Sequence, residues 1–411
     1  MNSELNELHP YPFEKLTALK AGITPPAHLP HIALSIGEPK HTSPAFVVQA
    51  LAENLDKLAV YPSTKGIPEI RQSVARWLST RFAIASTLLD PEKHILPVNG
   101  TREALFAITQ TIIDRNSQQA KKPVVISPNP FYQIYEGAAL LAGAEPVYLP
   151  CLEENNFTPD YDSVPEATWQ RCQMVFICSP GNPTGSVTSA DTYKKLIALS
   201  DKYGFVLIAD ECYSEIYCDE NVKPIGLLEV CAQLGRNDFK NCLAFHSLSK
   251  RSNLPGLRSG FVAGDAALIA KFLLYRTYHG CAMPIQVQLA SAACWDDEAH
   301  VLENRVQYRK KFSQVLAILR DVMDVQQTDA SFYLWPKTTI DEEAFAKELF
   351  KQQNVTVLPG SFLSREVNGV NPGKKRIRIA LVASVEECVE AAKRIRQFIL
   401  ENNLQTGQQA H

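Results

Sequence analysis

Seven short apolar segments constrain this chain more than any other feature: His94–Val98, Val124–Ser127, Glu145–Leu149, Met174–Cys178, Val206–Ala209, Cys242–His246 and Gly260–Ala263, bounded by Pro, Gly or Asn. Most are near-continuous rather than alternating, the pattern of strands buried on both faces. Between them the period changes. Ile70, Val74, Trp77 and Leu78 fall at i, i+4, i+7 and i+8, and Leu105, Ile108 and Ile112 repeat the theme, so each set is one face of a helix. Buried strands alternating with helices predict an α/β layer structure with a large, mostly parallel seven-stranded sheet.

The rhythm changes in a long helical stretch around Leu289–Leu319. Beyond it come Ser331–Trp335, a helix at Asp341–Gln352, Val355–Leu358, Arg376–Val382 and a final helix opened by a Ser384/Glu387 capping box. This reads as a smaller α+β unit. Prolines at 10, 12, 25, 26 and 39 block long helices, so an extended N-terminal arm is expected to complete that unit. The chain divides as 1–45, arm and part of the small domain; 46–290, large α/β domain; and 291–411, small α+β domain. The polar tail Glu401–His411 is expected to fray.

Composition narrows the function. Lys plus Arg is 41 and Asp plus Glu is 44, a net charge of −3, which gives no electrostatic reason to expect a nucleic-acid or anionic-membrane partner. No apolar run approaches the ~18 residues of a membrane span. The polar start, Met1 to His9, lacks the regions of a signal peptide, which points to the cytoplasm. None of the ten cysteines forms a Cys-x-x-Cys pair or a Cys/His set with zinc-finger spacing. Reduced thiols acting as small hydrophobes, and no metal, are expected.

The chemistry-bearing pieces sit at the carboxyl ends of expected strands, where open α/β sheets hold ligands. Asn99-Gly-Thr-Arg102 opens a helix and suits an anion such as phosphate. Ser179-Pro-Gly-Asn-Pro-Thr-Gly185 fixes Asn182 in a tight loop. Asp210 ends an apolar strand, where a carboxylate needs a partner, and Tyr213 follows three residues later. Ser247-Leu-Ser-Lys250 places a lysine at another strand end, with Arg258 eight residues on. Singly these are also an ordinary turn, a loop, a helix cap and a surface lysine. A desolvated lysine beside a phosphate site is also a Schiff-base former.

In this order and spacing, the set resembles the fold-type I pyridoxal-phosphate enzymes of the class I/II aminotransferase family, from Leu34-Ser-Ile-Gly-Glu-Pro39 to Arg376-Ile-Arg-Ile-Ala380. The resemblance implies pyridoxal 5′-phosphate as cofactor. Lys250 would carry it covalently and shuttle the proton, and Asp210 would pair with its ring nitrogen. Tyr213 and Asn182 would bond its 3-oxygen, and Tyr132 would stack on the ring. Gly100, Thr101, Arg102, Ser247 and Arg258 would bind its phosphate. Tyr61 would reach the phosphate of a neighbouring subunit, implying a homodimer with shared active sites. Arg378 and Gly37, with Asn182, would hold the α-carboxylate of amino-acid and keto-acid substrates. The Thr101-Arg102 pair departs from the commonest phosphate turn by adding a cation.

Stretches including His9-Pro-Tyr-Pro-Phe-Glu-Lys-Leu16, Ser331-Phe-Tyr-Leu-Trp-Pro336 and Val357-Leu-Pro-Gly-Ser-Phe-Leu-Ser-Arg365 resemble a proteobacterial branch of the family. That branch passes an amino group between glutamate and N-succinyl-2-amino-6-oxopimelate in lysine and diaminopimelate biosynthesis. A broad alanine, aspartate or aromatic transaminase and a carbon–sulfur β-lyase use the same residues. A cofactor-binding regulator would need an N-terminal helix-turn-helix module, for which residues 1–45 are too short and too rich in proline. For the distal end of the substrate the candidates are Arg276, His279 and Lys15.

Overall fold

The computed structural model describes residues 1–116 and 121–406. Numbered in chain order, the strands are β1 (Ile32–Ala33), β2 (Ile95–Val98), β3 (Val124–Asn129), β4 (Glu145–Pro150), β5 (Cys172–Cys178), β6 (Val206–Asp210), β7 (Cys242–Ser247), β8 (Gly260–Gly264), β9 (Tyr333–Leu334), β10 (Val355–Thr356), β11 (Leu358–Pro359) and β12 (Ile377–Ala380). All seven expected segments enter one sheet, in the order β2-β8-β7-β6-β5-β3-β4. Its pairs are parallel except at β8, which runs antiparallel to both β2 and β7.

The reason for the near-continuous apolar runs is visible in β5. Met174 and Phe176 face one core with Leu105 and Ile108, while Val175 and Ile177 face another with Ile70, Val74 and Trp77. With both faces covered, neither register position can be polar. Register then lines up the strand ends: Cys178 pairs with Asp210, and Asp210 with Phe245.

A separate core joins Ile32 and Leu34 to Phe312, Leu316, Phe345, Ile377 and Phe398. Here β1 of the arm pairs with β10, and β11, β12 and β9 form an antiparallel sheet. The Ser384/Glu387 capping box is present, at 3.1 Å in both directions.

Three expectations change. The arm is not wholly extended: Pro12–Leu19 is a helix with Pro12 in its first turn, where the missing N–H costs nothing. The stretch around 289–319 is two helices, Ile285–Asp296 and Ala299–Leu319. Asp297 breaks it by accepting from the His300 amide at 3.1 Å, starting the second helix afresh. The boundary at 290 therefore cuts a helix whose Cys294 and Trp295 pack in the core beside the large sheet. Finally, the last helix runs to Glu401 and Leu404 packs on the second core, so the tail is ordered to that point. Residues 407–411 lie outside the described residues. No described helix is long and apolar enough to cross a membrane.

Candidate active site

The residues expected to hold the cofactor and the α-carboxylate, except Gly100 and Tyr61, line one cavity of about 480 Å³ at the carboxyl ends of β5, β6 and β7. Gly100 lies immediately behind it. Its φ is +86°, and a Cβ there would come within 2.2 Å of the Arg258 guanidinium, so only glycine lets Arg258 cross this turn. No side chain caps the Thr101–Ile112 helix that follows, which leaves its first amides free for an anion. Tyr61 is fully exposed and outside the cavity of its own chain.

Lys250 follows β7 on a short helix capped by Ser247, whose hydroxyl accepts from the Ser249 amide at 3.1 Å. Its Nζ donates to the Gly37 carbonyl. Burial brings its ammonium down to about 8, with Arg378 and Arg102 pushing the same way against Cys212 and Glu38. Such an amine is an available base and nucleophile near neutral pH.

Asp210 presents the opposite case. Its carboxylate accepts from the Tyr135 hydroxyl at 2.7 Å and from the Cys212 amide at 3.4 Å. Burial drives its carboxyl above the usual range, against those hydrogen bonds. Among the described residues no cation forms an ion pair with it. Tyr135 itself is wedged against Phe176, ring to ring at 4.3 Å.

Arg378, on β12, donates to Asn182 Oδ1 at 2.9 Å and to the Ser35 carbonyl at 2.6 Å. Its Nε is buried without a partner, and the guanidinium lies 4.6 Å from the Tyr333 ring centroid. Tyr333 also bonds Tyr213, hydroxyl to hydroxyl, at 2.9 Å. A Cβ on Gly37 would sit 2.0 Å from the Tyr333 hydroxyl, so this close approach admits glycine alone. Across the cavity Arg102 donates through Nε to the Tyr132 hydroxyl at 2.6 Å.

Sequence reasoning missed Tyr11, Cys212 and Tyr333, which line the cavity, and Tyr135, which holds Asp210. Tyr135 lay in plain view, three residues after Tyr132 at the start of a helix. The distal candidates do not line the cavity of their own chain; the 275–280 loop, with Arg276 and His279, is expected to serve the partner's site. Arg276 is bound to Glu103 and Asn99, His279 is exposed, and Lys15 lies over the Phe362 ring. Among the described residues, Glu103, His279 and Cys281 group as possible metal ligands, but Arg276 already neutralises Glu103.

A seven-stranded, mostly parallel sheet with a strand-end lysine and carboxylate in one cleft defines a class, and the chain belongs to it: it is a member of the class I and II aminotransferases, whose family model matches residues 30–395. It is 32% identical to the LL-diaminopimelate aminotransferase of Nitratidesulfovibrio vulgaris (strain DSM 19637 / Miyazaki F), over 95% of this chain and 97% of that one. An aminotransferase structure from Neisseria meningitidis Z2491 shares 50% identity with a TM-score of 0.91, covering 97% of this chain and 99% of the other. A probable N-succinyldiaminopimelate aminotransferase from Thermus thermophilus shares 25% identity with a TM-score of 0.80, covering 94% of this chain and 100% of the other.

The family works with pyridoxal 5′-phosphate on small amino and keto acids, and the residues present suit that group. A buried carboxylate without a cation suits a protonated ring nitrogen. An uncapped helix start beside Arg258 suits a phosphate. A lysine whose ammonium is brought down to about 8 suits an aldehyde carbon.

Proposed function

We propose that this enzyme moves an amino group between glutamate and N-succinyl-2-amino-6-oxopimelate, in diaminopimelate and lysine biosynthesis, with Lys250, Asp210 and Tyr213 as its catalytic residues. The observation that carries the reading is the Arg378 fork. Two of its nitrogens are fixed by Asn182 and Ser35, its Nε is unpartnered, and Lys250 lines the same cavity. A guanidinium fixed in this way grips the α-carboxylate common to both half-reactions.

Bound pyridoxal phosphate supplies an electron sink for the bond broken at Cα. The protein does the rest. Asp210 keeps a proton on the ring nitrogen. Lys250 takes the proton from Cα and returns it on the other side of the exchange. The Gly100 turn, Thr101, Ser247 and Arg258 hold the phosphate, and Tyr132 covers the ring. Arg102, expected on the phosphate, is in this reading also placed to meet a carboxylate at the far end of the substrate, beside whatever the partner's 275–280 loop supplies. Arg102 lines the cavity, and its Nη atoms are free of the Tyr132 bond that orients it through Nε.

The names of the curated relatives favour a second reading, in which the same site takes diaminopimelate without the succinyl group. A panel of acceptors with glutamate as donor separates the two. The succinylated 6-oxopimelate should be much the better acceptor. Pyruvate or oxaloacetate performing as well would leave a broad transaminase. Release of thiol and pyruvate from a cysteine conjugate without any keto acid would leave a carbon–sulfur lyase.

The active unit in this reading is a homodimer in which the exposed Tyr61 serves the partner's site. Mixing inactive Tyr61→Ala and Lys250→Ala enzymes should restore one working site per hybrid dimer. No recovery on mixing removes Tyr61 from the site.

A further inference from the structure

The helix Ala299–Leu319 carries Asn304, Tyr308 and Lys311 at i, i+4 and i+7, on one buried face. Lys311 is fully buried and, among the described residues, forms no ion pair. Its amine contacts His41 Nε2 at 2.6 Å and the Leu381 carbonyl at 3.2 Å, and lies 4.9 Å from the Tyr308 ring centroid. On the far side of the imidazole, His41 Nδ1 meets Asn304 Oδ1 at 2.5 Å. The Asn304 amide then reaches the carbonyls of Lys250 at 3.4 Å and Arg251 at 3.3 Å.

Hydrogen-bond chemistry gives this chain one direction. Burial brings Lys311 down to about 8, and below that pH it is an ammonium, which only donates, so His41 Nε2 accepts and the ring proton sits on Nδ1. That proton goes to Asn304 Oδ1, which leaves the Asn304 NH₂ for the two carbonyls. Burial and the neighbouring Lys311 bring the His41 imidazolium down to about 4, consistent with a neutral ring that donates once and accepts once.

The two ends of the chain matter. One end holds the backbone of Lys250. The other holds the loop that carries Gly37, four residues before His41, whose carbonyl receives the Lys250 amine. The same loop supplies the Ser35 carbonyl to Arg378.

We infer that His41 and Asn304 are positioning residues for Lys250, locking its backbone and the Gly37 loop into one register so that its Nζ is held at one place in the cleft, free or joined to the cofactor. This rests on Lys250 being the cofactor-bearing lysine. Borohydride trapping and peptide mapping of the wild type test that premise separately.

The test of the inference is the pH titration of the holoenzyme's visible absorbance, read alongside kcat and thermal melting. Asn304→Leu keeps the bulk, adds no charge, and has neither an acceptor for His41 nor a hydrogen for the Lys250 and Arg251 carbonyls. His41→Leu cuts the chain on the other side. His41→Gln keeps one acceptor and one donor. Charges facing the Lys250 nitrogen, namely Arg378, Arg102, Glu38 and the Cys212 thiol, are untouched in all three. Lys311, brought down to about 8 by burial, faces His41 and is kept in all three. Asn304→Leu and His41→Leu should each shift the absorbance midpoint by about one unit or more. They should also lower kcat by about 10–100-fold, the scale of a misplaced reacting group. His41→Gln should stay close to wild type in both. A midpoint within about 0.3 unit of wild type in Asn304→Leu or His41→Leu overturns the inference, whatever happens to melting or kcat. So does a His41→Gln enzyme as altered as His41→Leu.

Discussion

Asp210 and Glu215 are five residues apart and both buried, yet their surroundings differ in kind. Glu215 accepts from Arg81 at 2.7 Å and lies 3.7 Å from Arg305, which also binds Glu220 at 2.9 Å. Burial pushes the Glu215 carboxyl up, but Arg81, Arg251 and Arg305 override it and hold it below its ordinary value. Asp210 has hydrogen bonds and no such cation, so burial wins and its carboxyl rises. Each charge around Glu215 meets an opposite charge within the chain. Around Asp210 and Lys250 no ion pair forms among the described residues, which suits a site whose proposed ligand supplies the counter-groups. Lys311 is also buried without an ion pair among them, so the contrast holds for this pair of carboxylates and is not a general rule.

The largest effect expected is at Lys250. Lys250→Ala should lower transamination by about 10⁴-fold, the upper range for removing an acid–base group. Borohydride should fix the wild-type chromophore to Lys250. An adduct on another lysine breaks the comparison at its functional pole.

The two carboxylates should then separate cleanly. Asp210→Asn should lower kcat by about 10²–10³-fold while the cofactor-free protein keeps its stability. Glu215→Gln should destabilise by about 3–5 kcal/mol in denaturant unfolding, because the buried Arg81 loses its counter-charge, with kcat per folded molecule little changed. Equal losses of stability in both variants would erase the distinction.

Arg378→Lys should weaken glutamate and the keto-acid substrate together. Steady-state kcat/KM should register a loss of about 2–5 kcal/mol for a truncated charged pair. A loss confined to one of the two substrates would remove Arg378 from the shared carboxylate.

The smallest effect concerns stability and pH. Lys250 titrates at about 8 in the fold against 10.5 for an ordinary lysine. Between those values the unfolded chain holds the extra proton, so this residue's contribution to stability rises with pH. Below 8 the buried charge is a fixed cost. In the cofactor-free protein, Lys250→Met should therefore stabilise at pH 7, and the gain should shrink as pH climbs through 8 toward 10.5. Urea unfolding across that range checks the sign.

These contrasts were unevenly legible in the sequence. The seven strands of the large sheet could be read because burial on both faces forces unbroken apolar runs. Asp210, Lys250 and the Asn99–Arg102 turn stood out because they interrupt those runs at strand ends, while Gly37, Tyr132 and Arg378 were reached only through the resemblance to the family. Tyr333, and the tie from Lys311 through His41 to Asn304, could not be read. They join segments up to 270 positions apart, and a contact of that kind leaves no local period. The break at Asp297 was hidden for another reason. A run of acidic residues reads as a solvated helix face, and only its bond to the His300 amide turns it into a stop.

The pairing of Ile32 with Val355 has a consequence for the order of assembly. The segment carrying Ser35, Gly37 and His41 is made before the large sheet, but its partner strand is made after it. A chain released before position 355 can complete the large sheet, whose strands end at Gly264, yet has nothing against which to dock this loop. Closing so long a loop is entropically slow. The cleft should therefore acquire the wall formed by Ser35 and Gly37 only after the large sheet has already folded.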